Sequence, residues 1–514
     1  KEKPAEQAAE APRIEPQLGG EGGEPSPWDV REDPPAFNVV GEEKPLVEPE
    51  RAAEPVPESV QTPVCSPAAP AASADPVAPA PESAPRGSLF VEPKAPQPAA
   101  KIEPRLAPRA ADAAPETRLV IGEIGSAPSP EAPRRPAPEP EAAAPADGAK
   151  VVKIGVFEPA SGDNGAGGKQ ETLGVQYANK VQPTVEIGGE TYNVELVIVD
   201  NESSNDKAPT AAANLVAQNV SIVLGSYGSG VSIAAGDVFN KADIPAMGIT
   251  CTNPQVTNGV ECYFRICFLD PFQGTVLANF ASKEFGAKKA YCLSKLGDDY
   301  SGGLCHYFVE AFKALGGEVV EETFPEGNSD FTSYITTAQN SGAEVFFSPV
   351  STEAAALIID QAAGNGMTMP ILAGDTWDSN VITGAAKGKN VKVCVTTFFD
   401  EGAESEAAQA FVSGIKEWIN SDATAKANNG GNDMISAVTA MGYDSYFTAL
   451  EALKNAGSTN PADVLKALPT TTYEGVTGAI AFDEIGDAIR DAAFVKEVDT
   501  ATGEWKFVAI QGVN

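Results

Sequence analysis

Proline is spread unevenly along this chain, and its distribution limits where a fold can form. Of 42 prolines, 31 fall in residues 1–150. Each removes a backbone donor and biases the residue before it away from the helical region. The same stretch holds three aromatics, Trp28, Phe37 and Phe90, and shows no apolar periodicity. It cannot bury enough apolar surface to offset chain entropy. Residues 1–150 are therefore expected to be a disordered, partly polyproline-II linker rich in Pro, Ala and Glu. As a flexible coil it would span roughly 70 Å, and more with this proline content. The other 364 residues carry 11 prolines and 34 aromatics, enough to bury one or two cores.

Acid exceeds base in both parts, 26 Asp/Glu against 15 Lys/Arg in the linker and 45 against 21 beyond it. No basic patch could neutralise a phosphate backbone, which argues against nucleic acid as a partner. The same ground argues against an anionic membrane surface as an electrostatic partner. No run of about 18 apolar residues suggests a membrane span. The chain starts at Lys1, as expected after removal of a leader or in a fragment. Arg13–Leu18 echoes Lys101–Leu106, which reads as compositional drift in a biased linker rather than a docking repeat. Cys65 follows Thr62-Pro63-Val64, without the small-residue run that precedes a lipidated cysteine. The seven cysteines form no CxxC pair and no Cys/His metal spacing. Those in the body read as buried thiols, with a disulfide in the Cys251–Cys267 region as the alternative.

From Lys150 the texture changes. Val151–Phe157 reads as a buried strand, followed by a Gly-rich loop at 161–168 and a helix over 169–180. Strands near 193–200, 221–224 and 244–248 then alternate with helices over 207–219 and 230–242. The pattern restarts after Phe272, with helices over 271–285, 301–315, 330–340 and 351–365. Between them lie strands at 288–294, 317–323, 343–347, 369–373 and 391–397. Helices near 405–420 and 432–456 precede strands at 478–482, 493–498 and 505–510. Such alternation predicts an α/β chain of two doubly wound parallel-sheet lobes. Ligands of such sheets bind beyond the carboxyl ends of the strands, so the loops after strands are the ones to inspect.

Four loops stand out. Gly225-Ser226-Tyr227-Gly228-Ser229-Gly230 joins a strand to a helix, where glycines permit close approach and the helix end favours an anion. It is neither the dinucleotide fingerprint nor a nucleophile elbow, and a plain tight turn explains it equally well. In Gly248–Pro254, Thr252 could donate to a carboxylate and accept from an ammonium, or close a turn. Asp375, in Leu372–Asp378, could pair with a cation or cap a turn. Tyr300, in Gly297–Gly302, precedes a helix and could cover a ligand. The only histidine, His306, sits in the apolar run Leu304–Phe308 and reads as packed or surface-facing rather than catalytic.

Taken in order, these segments resemble the branched-chain amino-acid type of periplasmic binding protein, the receptor of an ABC importer. The resemblance covers about residues 151–510. It rests on Ile154-Gly155-Val156 with Ser161-Gly162, Val199-Asp200-Asn201, Leu224-Gly225 with Ser229, Thr252-Asn253-Pro254 and Phe264-Arg265. It continues in Asp298-Asp299-Tyr300-Ser301, Gly374–Asp378, Gly475–Gly478 and Phe482-Asp483. It implies a type I periplasmic binding protein-like fold, with lobe 1 at about 151–270 plus 400–460. Lobe 2 would be about 271–399 plus 461–514, joined to lobe 1 by a hinge.

The resemblance also implies a site. Ser229 and Thr252 would bind a ligand α-carboxylate. The backbone around Thr250 and Cys251, with Thr252 and Asp375, would bind the α-ammonium, and Tyr300 would close over the ligand. Only a closed cleft satisfies both charges of a zwitterion. Two positions depart from the family. Gly165-Ala166-Gly167-Gly168 and Pro349-Val350-Ser351 stand where relatives often place aromatics. Tyr227 and Trp377 could line the pocket instead, or simply pack. The implied function is extracytoplasmic capture of Leu, Ile, Val or another small apolar amino acid for an ABC permease. The expected protein is monomeric, with no cofactor, metal or catalysis. A tethered sensory module for an amino acid, amide or related carboxylate is the alternative.

Overall fold

A computed structural model describes residues 150–512. The expectations for the linker, its echoed segments and Cys65 lie outside the described residues. β1 (Lys150–Glu158) is the β-branched run, buried from Ile154 onward. After it come α1 (Gly165–Val181), β2 (Thr184–Ile187), β3 (Glu190–Asp200), α2 (Ala208–Ala217) and β4 (Ile222–Leu224). α3 (Ser229–Lys241), β5 (Ala246–Gly248) and β6 (Tyr263–Arg265) complete the first lobe's sheet region. Its strand order is β2-β3-β1-β4-β5-β6, and all neighbours but β2 and β3 pair in parallel. The β2–β3 hairpin, unexpected from the sequence, turns at Gly188-Gly189 with φ of +58° and +84°. Two consecutive positive φ values suit glycine and match the twist of a tight hairpin.

The second sheet region holds α4 (Asp270–Glu284), β7 (Lys289–Lys295), α5 (Asp299–Ala314), β8 (Glu318–Phe324) and α6 (Thr332–Ser341). It continues through β9 (Val345–Phe347), α7 (Thr352–Gly364), β10 (Ile371–Ala373), α8 (Asn380–Ala386) and β11 (Val393–Thr397). Next come α9 (Glu406–Ser421), α10 (Ala423–Asn428), α11 (Ala437–Ala456) and α12 (Pro461–Ala467). The hairpin β12 (Tyr473–Gly475) and β13 (Gly478–Ile480) precedes β14 (Ala493–Asp499) and β15 (Glu504–Gln511). The second sheet runs β15-β14-β11-β10-β9-β7-β8, with β14 and β15 antiparallel.

The chain crosses between lobes more than once. α9 and α11 return to α1, where Tyr177 stacks on Trp418 and Tyr443 at 5.7 and 5.9 Å. Gly174 permits that approach, since a Cβ there would lie 2.0 Å from the Thr439 carbonyl. Tyr473 of β12 stacks on Phe447 of α11 at 5.8 Å, and the Asp444 carboxylate accepts from the Val476 and Thr477 amides. On these contacts we propose that residues 461–480 belong with the first lobe. β14 and β15 extend the second sheet. Apolar clusters cover both faces of each sheet, one pair around β1 and β4 and another around β7 and β10.

The Gly-rich segment expected as a loop winds into the first turn of α1 at Gly165. Low glycine propensity hides such a turn from a sequence reading. Close packing accounts for it, since a Cβ on Gly168 would lie 2.2 Å from the Pro159 carbonyl. α11 starts at Ala437 rather than near 432, with Ser436 capping the Val438 amide. In each sheet the strand order reverses beside one strand, at β1 between β3 and β4 and at β7 between β8 and β9. Crevices form at such switch points.

Candidate ligand-binding site

The loops after β1, β3 and β4 face those after β7, β9 and β10 across a cavity of about 50 Å³. Tyr227, Gly228, Ser229, Tyr300 and Thr376 are among its walls. The lobes touch there. The Tyr227 hydroxyl donates to the Thr376 carbonyl at 2.9 Å, and the Asn253 side-chain amide donates to the Asp299 carbonyl at 2.8 Å. Lys295 pairs with Asp163 at 2.8 Å. Ligand pockets hold about 300 Å³ or more, so a ligand of amino-acid size enters only when these contacts part.

Each wall is held from behind. In the first lobe, the fully buried Arg265 clamps the segment that carries Thr250 to Thr252. Its guanidinium donates to the Cys251 and Asn253 carbonyls at 2.9 and 2.7 Å, to Thr257, and to Asp487 at 2.5 Å. In the second lobe, Gln273 reads Asp375 twice. Its amide nitrogen donates to Asp375 Oδ1 at 2.9 Å, while its oxygen accepts the Asp375 amide at 2.9 Å and the Thr396 hydroxyl at 2.7 Å. The Tyr300 hydroxyl also donates to Asp375 Oδ1, at 2.9 Å.

Asp375 is fully buried and its Oδ2 has no partner in the protein. Burial pushes its carboxyl up to about 6, against the opposing hydrogen bonds from Gln273 and Tyr300. On the first-lobe side, the Thr252 hydroxyl is likewise fully buried, beside Asp270. Burial drives the Asp270 carboxyl up to about 8, against the opposing interaction with Thr252.

The structure sorts the expected site residues. Tyr227, Gly228 and Ser229 share the cavity wall with Tyr300; Ser229 Oγ accepts the Asn253 amide at 3.2 Å. The Thr250 hydroxyl donates to Glu171 at 2.5 Å. The Cys251 thiol points into the first-lobe core instead, against Gly248, and its carbonyl is taken by Arg265. Trp377 fills the second-lobe core, with its indole N–H donating to the Val350 carbonyl at 2.8 Å. It therefore braces the 349–351 loop from behind rather than lining the cavity. The six described cysteines are free and buried, so Cys251 and Cys267 form no bridge. His306 lies on α5 beside Tyr307 and Glu310, in a separate groove with Cys305. Among the described residues no group of His, Cys, Asp and Glu could hold a metal ion.

Sequence reasoning missed Glu158, Glu171, Asp270, Gln273 and the role of Arg265. Some signals were present. Glu171 shares a helix face with Gly174, Val175 and Ala178, all buried, so it is a polar residue in an apolar stripe. Asp270 and Gln273 are an i, i+3 pair at the start of a largely buried helix.

Tyr227 also accounts for the absent aromatic in the first loop. A Cβ on Gly167 would lie 2.4–2.7 Å from the Tyr227 ring and hydroxyl, so the ring already occupies that volume. A Gly167→Leu change should swing the ring out and break the Tyr227–Thr376 bond. Overpacking costs about 1–3 kcal/mol, so the melting temperature should fall by roughly 2–6 °C. Adding Tyr227→Leu should restore part of it.

Residues 151–503 match the family model described as a periplasmic binding protein. The chain belongs to the periplasmic binding protein family. The family resemblance seen in the sequence is thus borne out, and the family is one of solute-binding, non-catalytic proteins. A leucine binding protein LivK from Thermotoga maritima is 32% identical, with a TM-score of 0.61, covering 70% of this chain and 99% of that one. The LivJ substrate-binding protein of Streptococcus pneumoniae, solved with isoleucine, is 28% identical at a TM-score of 0.61, covering 71% and 99%. A Leu/Ile/Val-binding protein homolog 1 from Brucella suis is 29% identical over 341 residues, 65% of this chain and 87% of that protein. A solute binding protein from R. palustris in complex with benzoate, 18% identical at a TM-score of 0.60, shares the periplasmic binding protein fold over 70% of this chain and 96% of that one.

Proposed function

We propose that this periplasmic binding protein captures a small apolar α-amino acid, of the leucine, isoleucine or valine class, between its lobes. It would act outside the cytoplasm as a monomer and deliver the ligand to the permease of an ABC importer. Ser229 at the start of α3 and Thr252 bind the carboxylate. Thr252, the backbone at Thr250 and Asp375 bind the ammonium, while Tyr227 and Tyr300 close over the ligand. The observation that carries this reading is Asp375, a fully buried carboxylate beside the cleft whose Oδ2 meets no partner among the described residues. A buried charge is costly without a counter-charge, and a ligand ammonium supplies one. Benzoates, which bear no cation, leave that cost in place. Relatives named for leucine, isoleucine and valine add support.

Calorimetry of the twenty amino acids at neutral pH tests the reading. Leucine, isoleucine or valine should bind tightest. Binding of benzoate or of an amide with no measurable binding of any amino acid would refute it. No described helix is long and apolar enough to cross a membrane.

A further inference from the structure

Two acids behind the first-lobe wall are not explained by the ligand-holding roles assigned above. Glu158 ends β1 and Glu171 lies on α1; they are 1% and 0% exposed. Glu158 Oε2 accepts the Tyr227 amide at 2.7 Å. Glu171 Oε1 accepts the Thr250 hydroxyl at 2.5 Å. Each carboxyl therefore grips one residue of the proposed ligand wall. Each also keeps one oxygen, Glu158 Oε1 and Glu171 Oε2, that no donor of another residue reaches.

The two carboxyls are within hydrogen-bonding reach of each other. An ionised carboxylate only accepts, so a bond between the two requires a proton on one of them. One proton placed there pairs the orphan oxygens and removes a charge from a site where two cannot be held. No Lys or Arg among the described residues forms an ion pair with either acid. The buried Arg265 guanidinium is committed to Asp487 and to backbone carbonyls.

We propose that Glu158 and Glu171 form a proton-sharing pair that sets the charge of the first-lobe wall, and so which ligand group that wall accepts. With the proton in place, the wall around Tyr227, Ser229 and Thr250 takes a ligand carboxylate. Without it the pair carries two negative charges instead of one and repels that carboxylate. The two acids are positioning residues, acting through the Tyr227 amide and the Thr250 hydroxyl. This part of the proposal rests on the amino-acid reading above; the presence of the proton does not.

One other acid of this wall titrates in the same range: Asp270, beside Thr252, is pushed up by burial to about 8 and is common to wild type and both variants. Around Glu158 stand Tyr227, Cys251 and Tyr263, each pushed up by burial and neutral near pH 7. Across the cleft, Asp375 is the acid whose charge reaches Glu171, and Asp378 reaches Tyr227. Burial raises both members of the pair, Glu171 to about 8.

Glutamine mimics the protonated state. In Glu171→Gln the carboxamide still accepts from Thr250, and its NH2 supplies the donor to Glu158 that the proton supplied. Glu158→Gln does the same in reverse. Two measurements decide. First, infrared spectra of the ligand-free protein at pH 7 should show protonated-carboxyl absorption that weakens in both variants. Absorption unchanged in both variants would overturn the pair, whatever the ligand is. Second, leucine affinity of the wild type should fall above about pH 8, by up to about tenfold per pH unit. Relative to wild type, Glu171→Gln should retain affinity at pH 9, since the ligand's own titration is common to both. Equal alkaline losses in wild type and both variants would overturn the control of ligand charge. If leucine binds none of the three proteins, the amino-acid reading fails while the infrared result still decides the proton.

Discussion

Asp375→Asn should lower leucine affinity by two to three orders of magnitude while leaving the ligand-free protein at least as stable as the wild type. The two halves of that expectation come from the same geometry. Asp375 Oδ1 holds both hydrogen bonds, from Gln273 and Tyr300, and Oδ2 holds none. Asparagine keeps the accepting oxygen and replaces only the unpartnered atom. Removing one member of a buried ion pair costs about 3–5 kcal/mol, and each 1.4 kcal/mol is a factor of ten in affinity.

The pH dependence follows with a definite sign. Burial holds the ligand-free Asp375 carboxyl up at about 6, above its usual range. Binding an ammonium requires the ionised form, so below about pH 6 a proton must first be displaced. Wild-type affinity should therefore rise from pH 5 to about 6 and level off between about 6 and 8; Asp375→Asn should lack that rise. For folding the sign is opposite. A carboxyl raised in the folded state favours it at low pH, and this contribution is lost as pH climbs through about 6. The neutral asparagine avoids the loss, which is why its melting temperature at pH 7.5 should not fall. Calorimetry and thermal denaturation over this range check both halves; wild-type-like affinity in the variant would remove Asp375 from the ammonium site.

How far this site could be read from the chain depends on the range of its interactions. Strand–helix alternation is local and periodic, so the sheets were legible from apolar runs such as Val151–Phe157. The loops after strands were legible too, because topology alone directs attention to Ser229, Thr252, Tyr300 and Asp375. What escaped was long-range pairing. Gln273 holds Asp375 from 102 residues away, and Glu171 meets Thr250 across 79. A glutamate in a helix ordinarily reads as a solvated face, and only the approach of α1 to β1 turns Glu171 inward. Trp377 shows the opposite error. Its place in a cleft loop suggested a pocket wall, but its indole found a carbonyl partner in the core, as buried tryptophans usually do.

The same long-range logic sets the largest stability effect expected in this fold. Lys496 of β14 is 1% exposed, and its ammonium lies 3.1 Å from Asp378 and 3.7 Å from Asp400. Asp378 directly follows the turn that carries Asp375. Its Oδ2 also accepts the Thr397 hydroxyl at 2.6 Å and the Ala437 amide at 3.3 Å. A single carboxylate thus ties β14, β11, the Asp375 turn and the first residue of α11. Lys496→Met should leave that carboxylate buried without a full counter-charge, at a cost of about 3–5 kcal/mol. For a chain of this size each kcal/mol moves the melting temperature by roughly 2 °C, so a fall of about 6–10 °C is expected. Adding Asp378→Asn should recover much of it, because the stranded charge is gone while an acceptor for Thr397 and Ala437 remains. Leucine affinity should weaken in Lys496→Met by less than in Asp375→Asn, since Gln273 and Tyr300 still orient the carboxylate proposed to bind the ammonium. Thermal denaturation of the four proteins in this double-mutant cycle separates the pair from its members. A Lys496→Met protein that melts with the wild type would show that Thr397, Ala437 and Asp400 hold the region without the ion pair.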